Sequence, residues 1–519
     1  MNRQASSFSN VKALVVGLGD TGASCVRWLL EHDASVRATD TRDEPPHAQH
    51  LREAFPEVPL TLGGFQAADF DWADLIVVSP GVALATPEIQ RAIAAGKDVA
   101  GDVELFARAI KHSRSKVIAI TGSNGKSTVT SLVGHLCAAV GLDTVVAGNI
   151  GLPVLEALDN RETLGKDPDV WVLELSSFQL ETTSSLHPDA ATVLNISQDH
   201  MDRYAGLDDY AAAKARVFAG SGVQVLNRDD PMSMAMALPG RAISTFSIEM
   251  SAHPSPVSYG LTRRKDRLWL AEGEETLLPV DKLPIAGLHN AANALAALAL
   301  CRAIGLPSQE GRRSRNAAEP PTAPLPYDGL IPALKTFEGL PHRVQFVAEI
   351  NSRAFYDDSK GTNVGATVAA LLGFSVPVVL IAGGDGKGQD FSPMQGAVKN
   401  ARAVVQIGRD GPLVAEAIGD ACPVHRAESM EEAVDLAFDL SQPGDAILLS
   451  PACASWDMFR NYAHRAEVFI AAIGVLKAVE TLKQIGGVSR RRQDRRIRSI
   501  EIQGEERRTR ERRGGLHVS

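Results

Sequence analysis

No run of about 18 or more apolar residues occurs anywhere in the 519-residue chain, so no bilayer-spanning helix is expected. Met1 to Asn10 also lack the apolar stretch of a signal peptide, which makes a cytoplasmic location the default expectation. Cysteine is scarce. Cys25, Cys137, Cys301, Cys422 and Cys453 are scattered and form no C-x-x-C pair, which excludes the common zinc sites and a disulfide framework and leaves core thiols. Neither sign of charge dominates: 53 Lys and Arg stand against 62 Asp and Glu, for a net charge of -9. The balance is uneven, however, because Gly486 to Ser519 carry eleven Arg against five acids. A run of this kind reads as a solvated extension, with weak contact to nucleic acid or acidic lipid as the alternative.

What is present is ordinary for a globular protein, at 45% hydrophobic and 22% charged residues, and the length predicts about three domains. Apolar β-rich runs alternate with helical stretches in three series, the signature of α/β layers with parallel sheets. The first series has strands at Val11 to Gly17, Ser35 to Thr39 and Leu75 to Ser79. The second has strands at Lys116 to Thr121, Val170 to Leu175 and Ala191 to Ile196, and an alanine-rich helix from Gly287 to Ile304. The third has strands at Arg353 to Asp358, Val378 to Ala382, Ala403 to Ile407 and Ala446 to Ser450. The expected domains are 1–104, 105–338 and 339–478. Ser308 to Pro326, rich in Arg and Pro, is a disordered insertion on this reading, and 479–519 a disordered arginine tail.

One segment carries more chemistry than the rest. Lys116 to Thr121 run as an apolar strand into Gly122-Ser123-Asn124-Gly125-Lys126-Ser127-Thr128 and then a helix. Turn N–H groups and the positive helix end converge on one place, Lys126 adds a mobile charge, and the Ser127 or Thr128 hydroxyl suits Mg²⁺. The spacing is G-x-x-G-K-S-T, so only the second half of the general P-loop pattern is met. A nucleoside triphosphate site is predicted.

A second glycine turn, Gly17-x-Gly19-x-x-Gly22, also follows a strand and opens a helix, with Asp40 placed like a ribose-binding acid. Alone it suggests a dehydrogenase, but no hydride-transfer constellation accompanies it, and only nucleotide or diphosphate binding is retained. Glu174 ends a strand and is a plausible Mg²⁺ ligand, since that ion takes one or two carboxylates beside substrate phosphates. His200 follows another strand and is either a ligand or a loop-ordering hydrogen-bond partner. Lys214, in Tyr210-Ala-Ala-Ala-Lys214, reads from its residues alone as a solvated lysine.

GSNGKST, LELSSFQLE (Leu173 to Glu181), NISQDHMDRY (Asn195 to Tyr204), LHNAANALAA (Leu288 to Ala297), GLPHR (Gly339 to Arg343), DDSKGTN (Asp357 to Asn363), GGDGKGQDF (Gly383 to Phe391) and LSPACASWD (Leu449 to Asp457) occur in this order. Together they resemble the Mur ligases over residues 10–478, and DDSKGTN with SPACASWD favours a glutamate-adding member. The resemblance implies a Rossmann-like N-terminal domain for a UDP-linked substrate, a central P-loop mononucleotide-binding ATPase domain and a Rossmann-like C-terminal domain. It also implies an ATP-dependent amide ligase of cytoplasmic peptidoglycan precursor synthesis, acting as a monomer. Its substrates would be UDP-N-acetylmuramoyl-L-alanine and D-glutamate, joined through an acyl phosphate.

In that scheme Lys126, Glu174, His200 and Lys214 are catalytic. Gly122 to Thr128 hold ATP with Asn290 and Asn293, which lie three apart on one helix face, while Arg343, Asp358, Asp385 and Lys387 close over it. Two Mg²⁺ are bound through Ser127, Glu174, His200 and a Lys214 converted by CO₂ to N6-carboxylysine. Asp20, Thr21, Asp40, Thr41, Arg42 and the Ser79-Pro80-Gly81 turn contact uracil and diphosphate. Asn149 and Gln179 reach the muramoyl side, and Lys360, Thr362, Ser450 and Phe459 hold glutamate. The alternatives are another amino acid or L-glutamate, folylpolyglutamate synthase chemistry, an NAD-dependent dehydrogenase, and a non-enzymatic scaffold working through the arginine tail.

Overall fold

The computed structural model describes residues 8–249, 258–285, 287–305, 324–374 and 376–486. Two compact units are present, Met1–Gly339 and Leu340–Ser519. The first holds two sheets and the second one, so the three strand series become three sheets.

The first sheet is built from β1 (Lys12–Val16), β2 (Ser35–Asp40), β3 (Leu60–Leu62), β4 (Leu75–Val78) and β5 (Asp98–Ala100). All are parallel in the order β3-β2-β1-β4-β5. The order reverses beside β1, and open α/β sheets bind ligands at that switch, beyond the strand C-termini. The glycine turn after β1 occupies it. A Cβ at Gly22 would lie 1.9 Å from the Gly17 carbonyl oxygen, so only glycine lets the helix Asp20–Glu31 start against that backbone.

The second sheet comprises β6 (Lys116–Thr121), β7 (Thr144–Gly148), β8 (Val170–Glu174), β9 (Ala190–Val193), β10 (Val223–Asn227), β11 (Ile243–Phe246), β12 (Ser258–Arg264), β13 (Arg267–Glu272) and β14 (Glu275–Pro279). Its order is β14-β13-β12-β11-β10-β9-β6-β8-β7. The parallel-sheet expectation fails at one edge, where β12, β13 and β14 pair antiparallel. Their short linkers, Lys265-Asp266 and Gly273-Glu274, allow hairpins, whereas parallel strands need a longer crossover. β6 is buried on both faces between β8 and β9, which explains its unbroken apolar run. The alanine-rich helix Leu288–Ala303 is buried from Ala294 to Cys301 and packs along the helix Lys126–Ala139. A helix buried all round needs no polar face.

The expected boundary at 104/105 falls inside the helix Asp102–Ala109 and is corrected accordingly. Phe106 from this helix meets Trp171 of β8 edge-on at 5.0 Å, and one hydrophobic cluster runs from Val15 of β1 through Phe106 to Leu173 of β8. That helix therefore joins the two sheets, and no cut within it separates two cores.

The second unit has β15 (Gln345–Ile350), β16 (Arg353–Asp357), β17 (Val378–Gly383), β18 (Ala401–Ile407), β19 (Val424–Arg426) and β20 (Ala446–Leu449), in the order β15-β16-β20-β17-β18-β19. β15 pairs antiparallel with β16, again against the parallel expectation, and the rest are parallel. The final helix runs Tyr462–Gly486, so 479–486 continue it rather than opening the tail. Arg-rich residues 487–519 and most of the insertion, 308–323, lie outside the described residues.

Candidate active site

The phosphate loop leaves β6 with Gly122 at φ +149° and Gly125 at φ +83°, where a side chain would be strained. Space is tight as well. A Cβ on Gly125 would lie 2.8 Å from Asn293 Oδ1, and one on Gly122 would lie 3.0 Å from the Leu194 side chain. Asn293 donates to Asn290 Oδ1 at 3.1 Å, so this asparagine pair of the alanine-rich helix stands against the loop. Chain beyond β9 clamps the other side. Asn124 N–H donates to Asn195 Oδ1 at 2.8 Å, Asn195 Nδ2 donates to the Asn124 carbonyl at 3.1 Å, and Ser197 N–H donates to Ser123 Oγ at 2.9 Å. The strand, expected to run to Ile196, ends at Val193, and Asn195 beyond it belongs to this clamp. Lys126 Nζ donates to the Gly122 and Ser123 carbonyls at 2.9 Å each, while Ser127 and Thr128 are buried at the helix start.

Lys214 is buried, not solvated. Its Nζ, 1% exposed as a residue, donates to the Gly122 carbonyl at 2.9 Å and Thr121 Oγ1 at 3.3 Å and lies 4.6 Å from the Tyr210 ring centre. Burial, then the Lys126 charge, push this amine well below its ordinary range, against the pull of Asp199 and Glu174. Burial and Asp199 raise the nearby Tyr210 phenol, whose oxygen accepts from Ser123 Oγ at 3.4 Å. Glu174, at the C-terminal end of β8, is 2% exposed. Its Oε1 accepts from Asn149 Nδ2 at 2.9 Å, while its Oε2 is buried without a hydrogen-bond partner. His200 sits at φ +57°, 3.6 Å from Asp199 and edge-on to Phe178 at 4.7 Å.

These residues fit Mg²⁺. An unsatisfied buried carboxylate oxygen calls for a cation, and an ion completed by water and phosphate needs no larger protein cage. Among the described residues no group of three His, Cys, Asp or Glu is placed to hold a metal by itself.

A cavity of about 530 Å³ opens at the switch point of the first sheet. Asp20, Thr21, Asp40, Thr41 and Arg42 line one side, Ser79, Pro80 and Gly81 another, and Asn149 and Gln179 close it from the second sheet. Asp40 is not poised for a ribose. Its oxygens accept from Leu18 N–H at 2.7 Å, Arg42 N–H at 2.9 Å and the Arg42 guanidinium at 2.7 and 2.9 Å. Burial alone would raise this carboxyl, but these donors hold it below its ordinary value. Arg203, in a motif read only for its histidine, donates to the Pro80 carbonyl and Glu181 at 2.8 Å and lies 3.9 Å from the Phe178 ring centre. It thereby pins the Ser79-Pro80-Gly81 turn to the second sheet.

In the second unit Asp358 follows β16, accepts from Ser450 Oγ at 2.7 Å, and is pushed up to about 7 by burial, against the Ser450 bond and the Arg343 charge. Ser450, expected at glutamate, is fully buried, and its hydroxyl is also 3.0 Å from Thr367 Oγ1, so it positions Asp358. Lys360 Nζ lies 5.2 Å from the Tyr462 ring centre, Thr362 N–H donates to the Lys360 carbonyl, and Phe459 packs half-buried beside His464. Asp385 Oδ1 accepts from Lys387 N–H at 3.1 Å and pairs with Arg409, and Lys387 sits at φ +52°.

Buried Arg465 went unread, since a guanidinium inside a long helix resembles surface charge. It donates to the Ser359 and Cys453 carbonyls at 2.7 and 3.1 Å, joining the loops after β16 and β20, and burial pushes it down to about 10.

A carboxyl raised in the folded state favours folding at low pH. The Asp358 contribution is full below about pH 4, its unfolded value, and is lost as pH rises through about 7. Asp358→Asn should therefore gain stability relative to the unchanged chain between pH 5 and pH 8. Urea melts at both values check this, and an equal difference at both would contradict it.

A glycine-rich loop that opens a helix, beside a buried carboxylate with one oxygen unpartnered and with a substrate-sized cavity on the adjoining sheet, defines an ATP-type ligase site. Family models match in the same order: a Mur ligase MurD-like N-terminal domain at residues 11–101, a Mur ligase middle domain at 120–301 and a Mur ligase glutamate ligase domain at 342–453. The chain belongs to the Mur ligase family. Among its relatives, the UDP-N-acetylmuramoylalanine–D-glutamate ligase of Thiobacillus denitrificans is 53% identical over 92% of this chain and 99% of that one. The ligase of the same name from Chromobacterium violaceum is 54% identical over 91% and 99%. Solved MurF from Acinetobacter baumannii shares the fold at TM-score 0.54 and 17% identity, covering 90% of this chain and 92% of that one.

Proposed function

We infer that this chain is an ATP-dependent ligase that joins D-glutamate to UDP-N-acetylmuramoyl-L-alanine, a step of peptidoglycan precursor synthesis. One observation carries the reading beyond family membership. Asn149 lines the substrate cavity and bonds Glu174 beside the phosphate loop, so the two ligands would meet at that joint. The alanyl carboxylate reaching it attacks the γ-phosphorus of ATP, the bond to the β-phosphate oxygen breaks, and ADP leaves. The glutamate amine then adds to the acyl phosphate carbon, loses a proton, and expels inorganic phosphate as the amide forms. A carboxylate is a poor electrophile, and phosphorylation supplies its leaving group.

Lys126 and the loop N–H groups would hold the β- and γ-phosphates, and Glu174 with Ser127 would hold Mg²⁺. Mg²⁺ bound there neutralises charge on the phosphoryl oxygens. His200 and a carboxylated Lys214 are the further ligands proposed for a second ion. The low basicity expected of Lys214 supports that modification, because only a neutral amine adds CO₂, releasing a proton as the carbamate forms. Asn290 and Asn293 would stand toward the nucleoside, with Arg343, Asp358, Asp385 and Lys387 of the second unit on the nucleotide and Lys360, Thr362 and Phe459 on glutamate. Cytoplasmic action follows from the ATP and nucleotide-linked substrates, and among the described residues no helix is long and apolar enough to cross a membrane.

Phosphate release from ATP with Mg²⁺ and UDP-N-acetylmuramoyl-L-alanine tests the assignment. Release should require D-glutamate. Equal release with L-glutamate would remove the stereospecificity, and none with either isomer would remove the ligase reading.

A further inference from the structure

Gln179 lines the substrate cavity yet is 3% exposed, and its amide is almost fully committed. Oε1 accepts from the Ser176 N–H and hydroxyl, both at 3.1 Å, in a capping box that opens the short helix Ser177–Glu181. Nε2 donates one hydrogen to Asp102 Oδ2 at 3.1 Å. One polar group of the amide remains, the second Nε2 hydrogen.

We propose that Asp102 is a positioning residue for the sugar-peptide half of the substrate, fixing the Gln179 amide so that this remaining N–H is presented to the cavity. A flipped amide would set its oxygen against the carboxylate and its NH₂ against the Ser176 N–H, so the two partners together select one orientation. Asp102 lies at the start of the helix that joins the two sheets, 1% exposed, with Oδ1 buried and unpartnered. A carboxylate left this poorly satisfied is costly to keep in a core. Burial raises it to about 6, against the Gln179 bond, so at pH 8 it is ionised and can only accept. The inference rests on the substrate assigned above, and it adds a residue that does not itself line the cavity.

Calorimetric titration at pH 8 with UDP-N-acetylmuramoyl-L-alanine, and separately with UDP, tests it. In Asp102→Asn the new amide either turns an N–H toward Gln179 or buries one where Oδ1 has no partner. Affinity for the full substrate should fall about tenfold, the scale of one buried hydrogen bond, while UDP affinity stays unchanged. In steady state the KM for that substrate should rise and the KM for ATP should not. The double change Asp102→Asn with Gln179→Glu separates positioning from mere structure. It restores a donor-acceptor pair between the two positions and should recover thermal stability, but it leaves no hydrogen for the ligand, so substrate binding should stay weak. Recovered substrate affinity in the double variant, equal loss of UDP binding in the single one, or no loss at all would overturn the proposal. Wild-type protein that binds UDP but not the muramoyl compound would instead remove the substrate assignment, and the proposal with it.

Discussion

Lys126→Ala should lower kcat by about 10³-fold while leaving UDP-N-acetylmuramoyl-L-alanine binding intact, since loss of one preorganised charge at a reacting group costs roughly 10²- to 10³-fold. The ammonium lies at the loop, held by the Gly122 and Ser123 carbonyls, and Lys214 bonds the same Gly122 carbonyl, so Lys214 cannot take its place without breaking that contact. The cavity proposed for the UDP substrate has no lining residue from the loop, which is why its affinity should not follow. Single-turnover phosphate release with calorimetric binding separates the two effects. A variant that keeps even a tenth of wild-type kcat would contradict the role assigned to this lysine.

Lys214→Met should cost about 10²-fold in kcat, the scale seen when partners supporting a metal site are lost. Methionine fills a similar volume without a charge, so packing against Tyr210 is kept and the loss reports chemistry. If the amine takes up CO₂, isotope-labelled bicarbonate should give a carbamate carbon resonance in the unchanged protein that disappears in this variant. Activity that survives the change, or a resonance that persists in it, would remove Lys214 from the mechanism.

Much of this was legible because the fold puts its chemistry where strands end. β1, β6 and β8 are strongly apolar runs, and Gly17, Gly122 and Glu174 follow or close them, so strand and site could be read from one stretch of sequence. The ten residues expected to surround the UDP substrate line one cavity, which a pattern of turns after parallel strands foreshadows.

What escaped notice depends on contacts between segments distant in the chain. Asp102 looks like an ordinary acid in a first helical turn until Gln179, 77 positions later, is seen beside it. Lys214 looked solvated because three small alanines precede it. Its burial comes from the loop after β6, 92 positions earlier. Asp40 matched a dinucleotide signature by spacing alone, and only its hydrogen bonds show that Arg42 and Leu18 occupy the carboxylate. The antiparallel edges formed by β12 to β14 and by β15 were missed because their strands mix charged and partly exposed residues with apolar ones and hold no long apolar run.

The double clamp on the phosphate loop bears on how nucleotide is captured. Asn195 and Ser197 hold it from one side and Asn293 stands against the other, so its conformation is settled when the chain folds. Ordering a flexible backbone costs about 1–2 kcal/mol per residue in entropy. A loop already ordered spares each binding event that loss, so capture of nucleotide should be governed by encounter rather than by waiting for the loop to take shape.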